Sequence, residues 1–162
     1  MEITIRKAGI EDLDLLAATR AETLRAANRL PADADMRATE QAAREYYSRC
    51  FDDDSHVALL AFDGDRCVGT GGVSYYAVMP VMSNPTGRKA YIMNMYTHPD
   101  YRRRGIARRM LGILVEETLA RGIDFITLEA TQMGRPLYEA FGFRPMTDEM
   151  QLPRGWRAEN GK

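Results

Sequence analysis

The chain has 162 residues, of which 45% are hydrophobic and 28% are charged, and its formal net charge is −1. These values are typical of one folded domain with enough apolar side chains for a core. The near-zero net charge argues against a nucleic-acid partner, and the lack of any uncharged apolar run near roughly 18 residues argues against a membrane partner.

The two cysteines, Cys50 and Cys67, do not have the spacing of a metal site. The first residues enter an alternating strand pattern directly, without the apolar segment of a signal peptide. We therefore expect reduced thiols, no metal and a cytoplasmic location.

The first half of the chain predicts a strand, two helices and a β-hairpin. Ile3 and Ile5 alternate with polar residues, which favours a strand, and Gly64 marks a hairpin turn. The predicted elements are a strand at 2–7, a helix beginning at 9–12, a loop at 28–36, a helix at 39–51 opened by the capping-type Thr39, and strands at 56–62 and 67–78. In the first helix, the apolar residues at helical spacing are Leu13, Leu16, Ala17 and Leu24.

The second half predicts a strand–helix–strand unit followed by a short helix. The elements are a loop at 80–88, a strand at 90–97, a helix at 104–121, a strand at 125–130, a helix at 134–141 and one or two strands at 143–152. Because a hairpin and a βαβ crossover occur together, the sheet must be mixed. We predict one α/β domain over residues 1–153 and a C-terminal tail at 154–162.

Arginine is concentrated at the start of the long helix, where five of the eight residues from Arg102 to Arg109 are arginine. Cations oppose the helix dipole at this end, so an anion is expected to compensate. A turn containing Gly105 before a helix presents backbone N–H groups of the kind that bind phosphate. The alternative is a solvated basic helix start.

Two other phosphate-binding patterns are excluded. The chain lacks the Gly-x-x-x-x-Gly-Lys-(Ser/Thr) pattern of a P-loop. Gly69-x-Gly71-Gly72 is not followed by a helix, so it does not fit a dinucleotide-binding turn. These glycines are expected to serve close packing or a bulge within a strand.

Two motifs resemble one enzyme family. The segment Arg102-x-x-Gly105-x-Ala107 is similar to the pyrophosphate loop of the GCN5-related N-acetyltransferases (GNAT), which bind acetyl-coenzyme A. The segment 127–143 ends in Leu-Tyr-Glu-Ala-Phe-Gly-Phe and resembles the Leu-Tyr-x-x-x-Gly-Phe ending that follows the phosphate helix in that family. Order and spacing both agree, and the resemblance spans roughly residues 2–152.

The resemblance implies a mixed, splayed central sheet of six to seven strands flanked by about four helices. It also implies that the pantetheine arm of acetyl-coenzyme A, the co-substrate, lies between the strands at 90–97 and 125–130, with no metal involved. The implied coenzyme-binding residues are Met95, Tyr96, Thr97, Arg102, Arg103, Arg104, Gly105, Ile106, Ala107, Arg108 and Thr131.

Tyr138 is the predicted catalytic residue, because the family tyrosine at this position lies near the coenzyme sulfur and donates a proton to the departing thiolate. Reference pKa values of about 10 for tyrosine and 8.5 for a thiol make that transfer nearly balanced. Family members often carry a glutamate base on the strand entering the phosphate loop. This strand has no carboxylate, which leaves the base unidentified, with Glu129 and His98 as alternatives.

The resemblance implies an acetyl-coenzyme A-dependent N-acetyltransferase that acts on a primary amine of a small molecule or peptide by direct attack. The alternative is a non-catalytic acyl-coenzyme A sensor. The acceptor is expected to contact the loops at 28–39 and 80–89. Asp33, Asp35 and the acidic run at 52–54 could attract a cationic amine. The segment 79–82 could line an apolar pocket or form a homodimer contact.

Overall fold

The computed structural model describes residues 2–156. In this range there are five strands and four α-helices: β1 (Ile3–Lys7), α1 (Leu13–Asn28), α2 (Arg37–Asp53), β2 (His56–Asp63), β3 (Arg66–Ala77), β4 (Arg88–Thr97), α3 (Ile106–Ala120), β5 (Ile126–Leu128) and α4 (Arg135–Phe141). Short 3₁₀ turns precede α1 and follow β4. No helix within the described range has both the length and the apolar character that crossing a membrane requires.

The strands form a single mixed sheet in the order β1-β2-β3-β4-β5. Neighbouring strands from β1 to β4 are antiparallel, and β5 is parallel to β4. The α3 crossover between β4 and β5 explains the parallel pair, because a hairpin can join only antiparallel strands. The predicted mixed α/β sheet is confirmed.

The helices cover both faces of this sheet, and β2 is buried on both sides. Leu59 and Ala61 point into a core with Leu111 of α3. The alternate residue Leu60 belongs to a second core with Leu16 of α1. Since successive strand side chains point to opposite faces, α1 and α2 lie on one face and α3 on the other.

The strands β4 and β5 pair over all three residues of β5, and β4 continues beyond the end of β5. The pairs run from Ala90 with Ile126 to Ile92 with Leu128, whereas β4 continues to Thr97. Within the described part of the chain, no strand therefore pairs with the β5-facing edge of β4 beyond Ile92. This unpaired edge lies where the family resemblance implies that the sheet splays.

A β-bulge lies in β4 just beyond the last residue that pairs with β5. Asn94 has a φ of 57°, and the register between β3 and β4 shifts there. A Cβ on Gly71 of β3 would lie 2.7 Å from the sulfur of Met95, so a larger residue at this position would displace the Met95 side chain. This agrees with the packing role expected for the glycine cluster.

The prediction of six to seven strands is wrong, because the described range contains five. Residues 143–152 form no strand. Pro145 within this segment and Pro153 directly after it cannot donate ladder hydrogen bonds, and Met150 and Leu152 are 98% and 65% exposed. An alternating pattern that buries no face does not stabilise a strand.

Several predicted boundaries also move. Helix α2 begins at Arg37 rather than Thr39, and the carboxylate of Asp35 accepts the Arg37 N–H at 3.0 Å. Helix α3 begins at Ile106 because Gly105 has a φ of 78°, outside the helical region. Strand β5 has three residues instead of six. Of the predicted C-terminal tail, residues 157–162 lie outside the described range.

His56 is a buried polar residue between the sheet and α2. It is 3% exposed, and its ring packs edge-on against Tyr46 and Tyr47. Its Nδ1 lies 3.0 Å from both the Tyr46 hydroxyl and the Ser74 hydroxyl, while Nε2 has no hydrogen-bond partner among the described residues. Burial, followed by the positive charge of Arg20, lowers the pKa of His56 to about 4.

Because His56 is buried, we expect the folded protein to lose stability in acid. His56 binds a proton below about pH 6.5 in the unfolded chain and only below about pH 4 in the folded protein. Its stability contribution is therefore complete above pH 6.5 and falls between pH 6.5 and 4, by about 2 kcal/mol at pH 5. Urea unfolding at pH 7.5 and pH 5 should show a smaller acid loss for His56→Gln than for the wild type. Partly exposed His98 provides the control, since His98→Gln should retain the full loss.

Candidate active site

The turn between β4 and α3 has the backbone geometry of an anion site. Arg103 and Gly105 both have a positive φ, 60° and 78°, so the chain reverses direction before entering α3. No side chain caps the N-terminus of α3, and its first turn contains no acidic residue. The first N–H groups of a helix have no partner within the helix, so here they remain open to a ligand.

Gly105 is required by the backbone conformation rather than by a neighbouring group. A Cβ built on this residue would meet nothing within 4 Å. The space beside the turn is therefore empty, and the φ of 78° is one that a side-chain-bearing residue rarely adopts. Glycine thus keeps the approach to the backbone clear.

Side chains of the arginine cluster hold the turn in place. The Nε of Arg102 donates to the carbonyl of Thr97 at 3.1 Å, which ties the turn to the end of β4. The guanidinium of Arg104 lies 5.1 Å from the ring centre of Tyr101. Arg103 is exposed.

Two further arginines extend this positive region along the first turn of α3. Arg108 lies over the ring of Phe141 at 5.6 Å, and Arg109 donates to the carbonyl of Ile3 at 3.2 Å. Within residues 2–156, four members of the cluster have no carboxylate within 4 Å, namely Arg102, Arg103, Arg108 and Arg109. Positive charge without a protein counter-ion, at a helix N-terminus, suits an anionic ligand such as a pyrophosphate.

The last residues of β4 face different surroundings. Met95 packs in the α3-side core, and Tyr96 lies on the opposite face beside Glu22 and Arg25. The hydroxyl oxygen of Thr97 is buried and has no hydrogen-bond partner among the described residues. An unpaired hydroxyl beside the arginine turn is a group that a polar ligand could satisfy.

Two predicted site residues in the first turn of α3 have buried or partly buried side chains. Ile106 is 2% exposed and belongs to the core, and Ala107 is partly buried. Only their backbone N–H groups are therefore suited to bind the coenzyme.

Tyr138 is held at the start of α4 by the turn that precedes it. The hydroxyl of Thr131 accepts the Gly134 N–H at 3.1 Å, and the carbonyl of Thr131 accepts the Arg135 N–H at 2.9 Å. A Cβ on Gly134 would lie 3.0 Å from the Tyr138 ring. Thr131 thus stabilises the turn, and glycine at 134 lets the ring lie against it.

The Tyr138 hydroxyl is not engaged by the protein. The residue is 9% exposed, and its ring packs edge-on against Phe143. Within the described chain, no group forms a hydrogen bond with the hydroxyl. Burial, and to a lesser degree Tyr91, raises the pKa of Tyr138, so the phenol stays protonated at neutral pH.

The polar residues of β4 include one with a structural role. Asn94 donates to the Tyr47 hydroxyl at 3.3 Å and accepts from Arg20 at 3.2 Å, so it connects the bulge to α1 and α2. Tyr91 is partly buried on the same face. As the sequence indicates, β4 contains no carboxylate.

The two alternative bases differ in their surroundings. His98 is engaged at the far end of β4, where Nδ1 accepts the Asp100 N–H at 3.3 Å and Nε2 lies 3.2 Å from Arg66. Glu129 directly follows β5, is exposed, and acts electrostatically on Tyr91. Of the two alternative bases, Glu129 therefore lies nearer to the opening between β4 and β5.

A cleft of about 670 Å³ lies between β5, α4 and residues 143–149, and Tyr138 is part of its wall. No residue of β4 or of the arginine turn lines it. The cleft therefore adjoins the opening between β4 and β5 but is not the groove that the resemblance implies for the coenzyme.

Arg20 is a candidate site residue that the sequence reading missed. It lies four residues after Leu16 and four before Leu24, in the apolar stripe of α1. Its contact with Asn94 places it beside the bulge. A charged residue on an otherwise apolar helix face was the signal that could have identified it.

Comparison with known proteins agrees with this architecture. The sequence model of the Acetyltransferase (GNAT) family matches residues 21–143. The chain belongs to this family.

Three relatives illustrate the similarity. The crystal structure of a predicted acetyltransferase with acetyl-CoA from Clostridium acetobutylicum has a TM-score of 0.85 and 31% identity, covering 94% of this chain and 96% of that one. A GCN5-related N-acetyltransferase from Ralstonia eutropha JMP134 has a TM-score of 0.80 and 29% identity, covering 94% and 98%. The uncharacterised N-acetyltransferase YsnE of Bacillus subtilis (strain 168) is 30% identical over 89 residues, 52% of this chain. The match spans only about half of YsnE, 53% of its length.

Proposed function

We propose that this protein is an acetyl-coenzyme A-dependent N-acetyltransferase that transfers the acetyl group to a primary amine by direct attack. The observation that carries the proposal is that β4 continues beyond Ile92, where its pairing with β5 ends. The unpaired edge of β4 leads to the uncapped N-terminus of α3. The opening therefore connects two features. One is a strand edge that can pair with an extended amide arm, and the other is a turn that can bind the phosphates of the same molecule.

In this proposal, some residues bind the coenzyme and Tyr138 transfers a proton. The N–H groups of the turn at 102–108 and its arginines bind the pyrophosphate, and the Thr97 hydroxyl offers a further polar contact. Tyr138 keeps its phenol proton at neutral pH and gives it to the departing thiolate. The rest of the rate enhancement comes from holding the amine against the thioester.

The relatives support the coenzyme assignment. The similar protein from Clostridium acetobutylicum is described with acetyl-CoA. In this chain, the empty space beside Gly105 and the four arginines without carboxylate partners fit the phosphates of that molecule.

The second candidate is an acyl-coenzyme A sensor without turnover. It is favoured by the lack of a carboxylate on β4, since a neutral amine is needed and an alkylamine has a pKa near 10.4. The Tyr138 hydroxyl, to which no residue in the range 2–156 forms a hydrogen bond, favours the enzyme instead, because a sensor has no need of a proton donor.

A panel of acceptors tests the proposal. The purified protein is incubated with acetyl-coenzyme A and simple amines, aminoglycosides, amino acids or peptides, and free coenzyme A and acetylated product are measured by mass spectrometry. We expect both products, in equal amounts, with at least one acceptor. Calorimetric binding of acetyl-coenzyme A without product from any acceptor would favour the sensor, and absence of binding would contradict both candidates.

A further inference from the structure

Arg20 is a cation directed from α1 toward the sheet. It is partly buried, and its Nη1 donates to the side-chain oxygen of Asn94 at 3.2 Å. Because Asn94 forms the bulge in β4 just beyond its pairing with β5, this contact places the guanidinium at the opening on the α1 face.

No carboxylate balances this charge. Within residues 2–156, no Asp or Glu oxygen lies within 4 Å of Arg20, and the bond to Asn94 is its only hydrogen bond. A guanidinium has five N–H donors, and a partly buried one without a counter-ion is costly. Nearby Glu22 is exposed and acts on Tyr96 instead. Arg20 is therefore suited to an anionic group from outside the chain.

A carboxylate lies on the other side of the same opening. Tyr91 pairs with Thr127, so their side chains share the α1 face of the sheet, and Glu129 directly follows the end of β5. Burial, then Glu129, raises the pKa of Tyr91, whereas Arg20 acts in the opposite direction. Tyr91 thus lies within the electrostatic reach of both charges.

We infer that the acceptor is a zwitterionic amine of the amino-acid type, with its carboxylate on Arg20 and its amine beside Glu129. This inference rests on the proposed acetyltransfer and names the class of its acceptor. A cation and a carboxylate flanking one opening match a small molecule with the opposite arrangement of charges. A simple amine or the N-terminus of a long peptide has no carboxylate near the amine to bind Arg20.

Glu129, Tyr138 and water account for every proton that moves in the transfer. The bound ammonium gives one proton to Glu129, and its nitrogen lone pair forms a bond to the acetyl carbonyl carbon. The carbon–sulfur bond breaks, and Tyr138 gives its proton to the thiolate. The second amine proton lost on forming the amide returns the phenol proton through water, so the products are an N-acetyl amino acid, free thiol and a protonated Glu129.

Matched acceptor pairs test the inference. Each amino acid is compared with its amide and with its decarboxylated amine, at saturating acetyl-coenzyme A. We expect kcat/KM to be about tenfold or more higher for the amino acid, as expected for a partly buried charge pair. Equal or higher values for the compounds that lack the carboxylate would overturn the inference while leaving acetyltransfer intact. Absence of product with every compound would overturn both.

The variant Arg20→Gln tests whether the preference for amino acids depends on Arg20. Arg20→Gln retains a donor for Asn94 but removes the positive charge. It should raise KM for the amino acid by about tenfold, leave the decarboxylated amine unchanged and preserve calorimetric binding of acetyl-coenzyme A. The control is Arg44→Gln, which removes an arginine from α2 that pairs with Asp14. If both variants, folded by circular dichroism, keep the wild-type preference for amino acids, Arg20 is not the anion-binding group.

Discussion

The variant Gly105→Glu is expected to abolish binding of acetyl-coenzyme A. The substitution places a carboxylate where the turn offers uncapped N–H groups and four arginines without carboxylate partners, and it forces a side-chain-bearing residue into a φ of 78°. Wild-type protein should gain about 2.7 kcal/mol of stability with ligand at 100 times its dissociation constant. The variant should show no shift in Tm under the same conditions.

Gly122→Glu is the matched control for this experiment. Gly122 follows the other end of α3, has a φ of 72° and meets nothing within 4 Å of a built Cβ, so the backbone strain is similar. It should lose stability but retain the ligand-induced Tm shift. Equal shifts in wild type and Gly105→Glu would contradict the assignment of the turn to the phosphates.

Tyr138→Phe is expected to lower turnover by about 10²-fold or more and to leave coenzyme affinity nearly unchanged. The substitution keeps the ring that packs against Gly134 and Phe143 and removes only the hydroxyl. The loss should be smaller with acyl donors whose leaving thiol is less basic, since such thiolates need less protonation. Single-turnover rates and calorimetry measure the two quantities separately.

Tyr75→Phe is the control for this pair of measurements. Its hydroxyl lies 3.3 Å from that of Thr118 on the α3 side of the sheet, away from the opening. It should retain the wild-type rate. An unchanged chemical step in Tyr138→Phe would reduce Tyr138 to a packing residue.

The proposed arrangement separates the two substrates by the faces of the sheet. The arginine turn and Tyr138 belong to the α3 side, whereas Arg20 lies on the α1 side. The opening between β4 and β5 connects the two faces of the sheet, because no strand fills it in the described part of the chain. Direct attack of an amine on a thioester needs such an opening, since both substrates must reach one another without leaving the protein.

Local chemistry in the sequence was enough to predict much of this protein. Alternating Ile3 and Ile5, the apolar stripe of the first helix and the arginine turn before Gly105 each depend on residues close together in the chain. The mixed sheet followed from the combination of a hairpin with a crossover. Tyr138 was identified through its family motif, and its role in proton transfer remains a prediction.

Only the tertiary structure decided the number of strands and the surroundings of the acceptor. The segment at 143–152 has an apolar pattern that indicates a strand, but nothing in the sequence shows that Met150 and Leu152 would find no face to cover. Likewise, Arg20 and Asn94 are 74 residues apart, and only the packing of α1 on β4 brings them together. Burial and contacts between distant segments depend on the whole chain, so a sequence window cannot determine them.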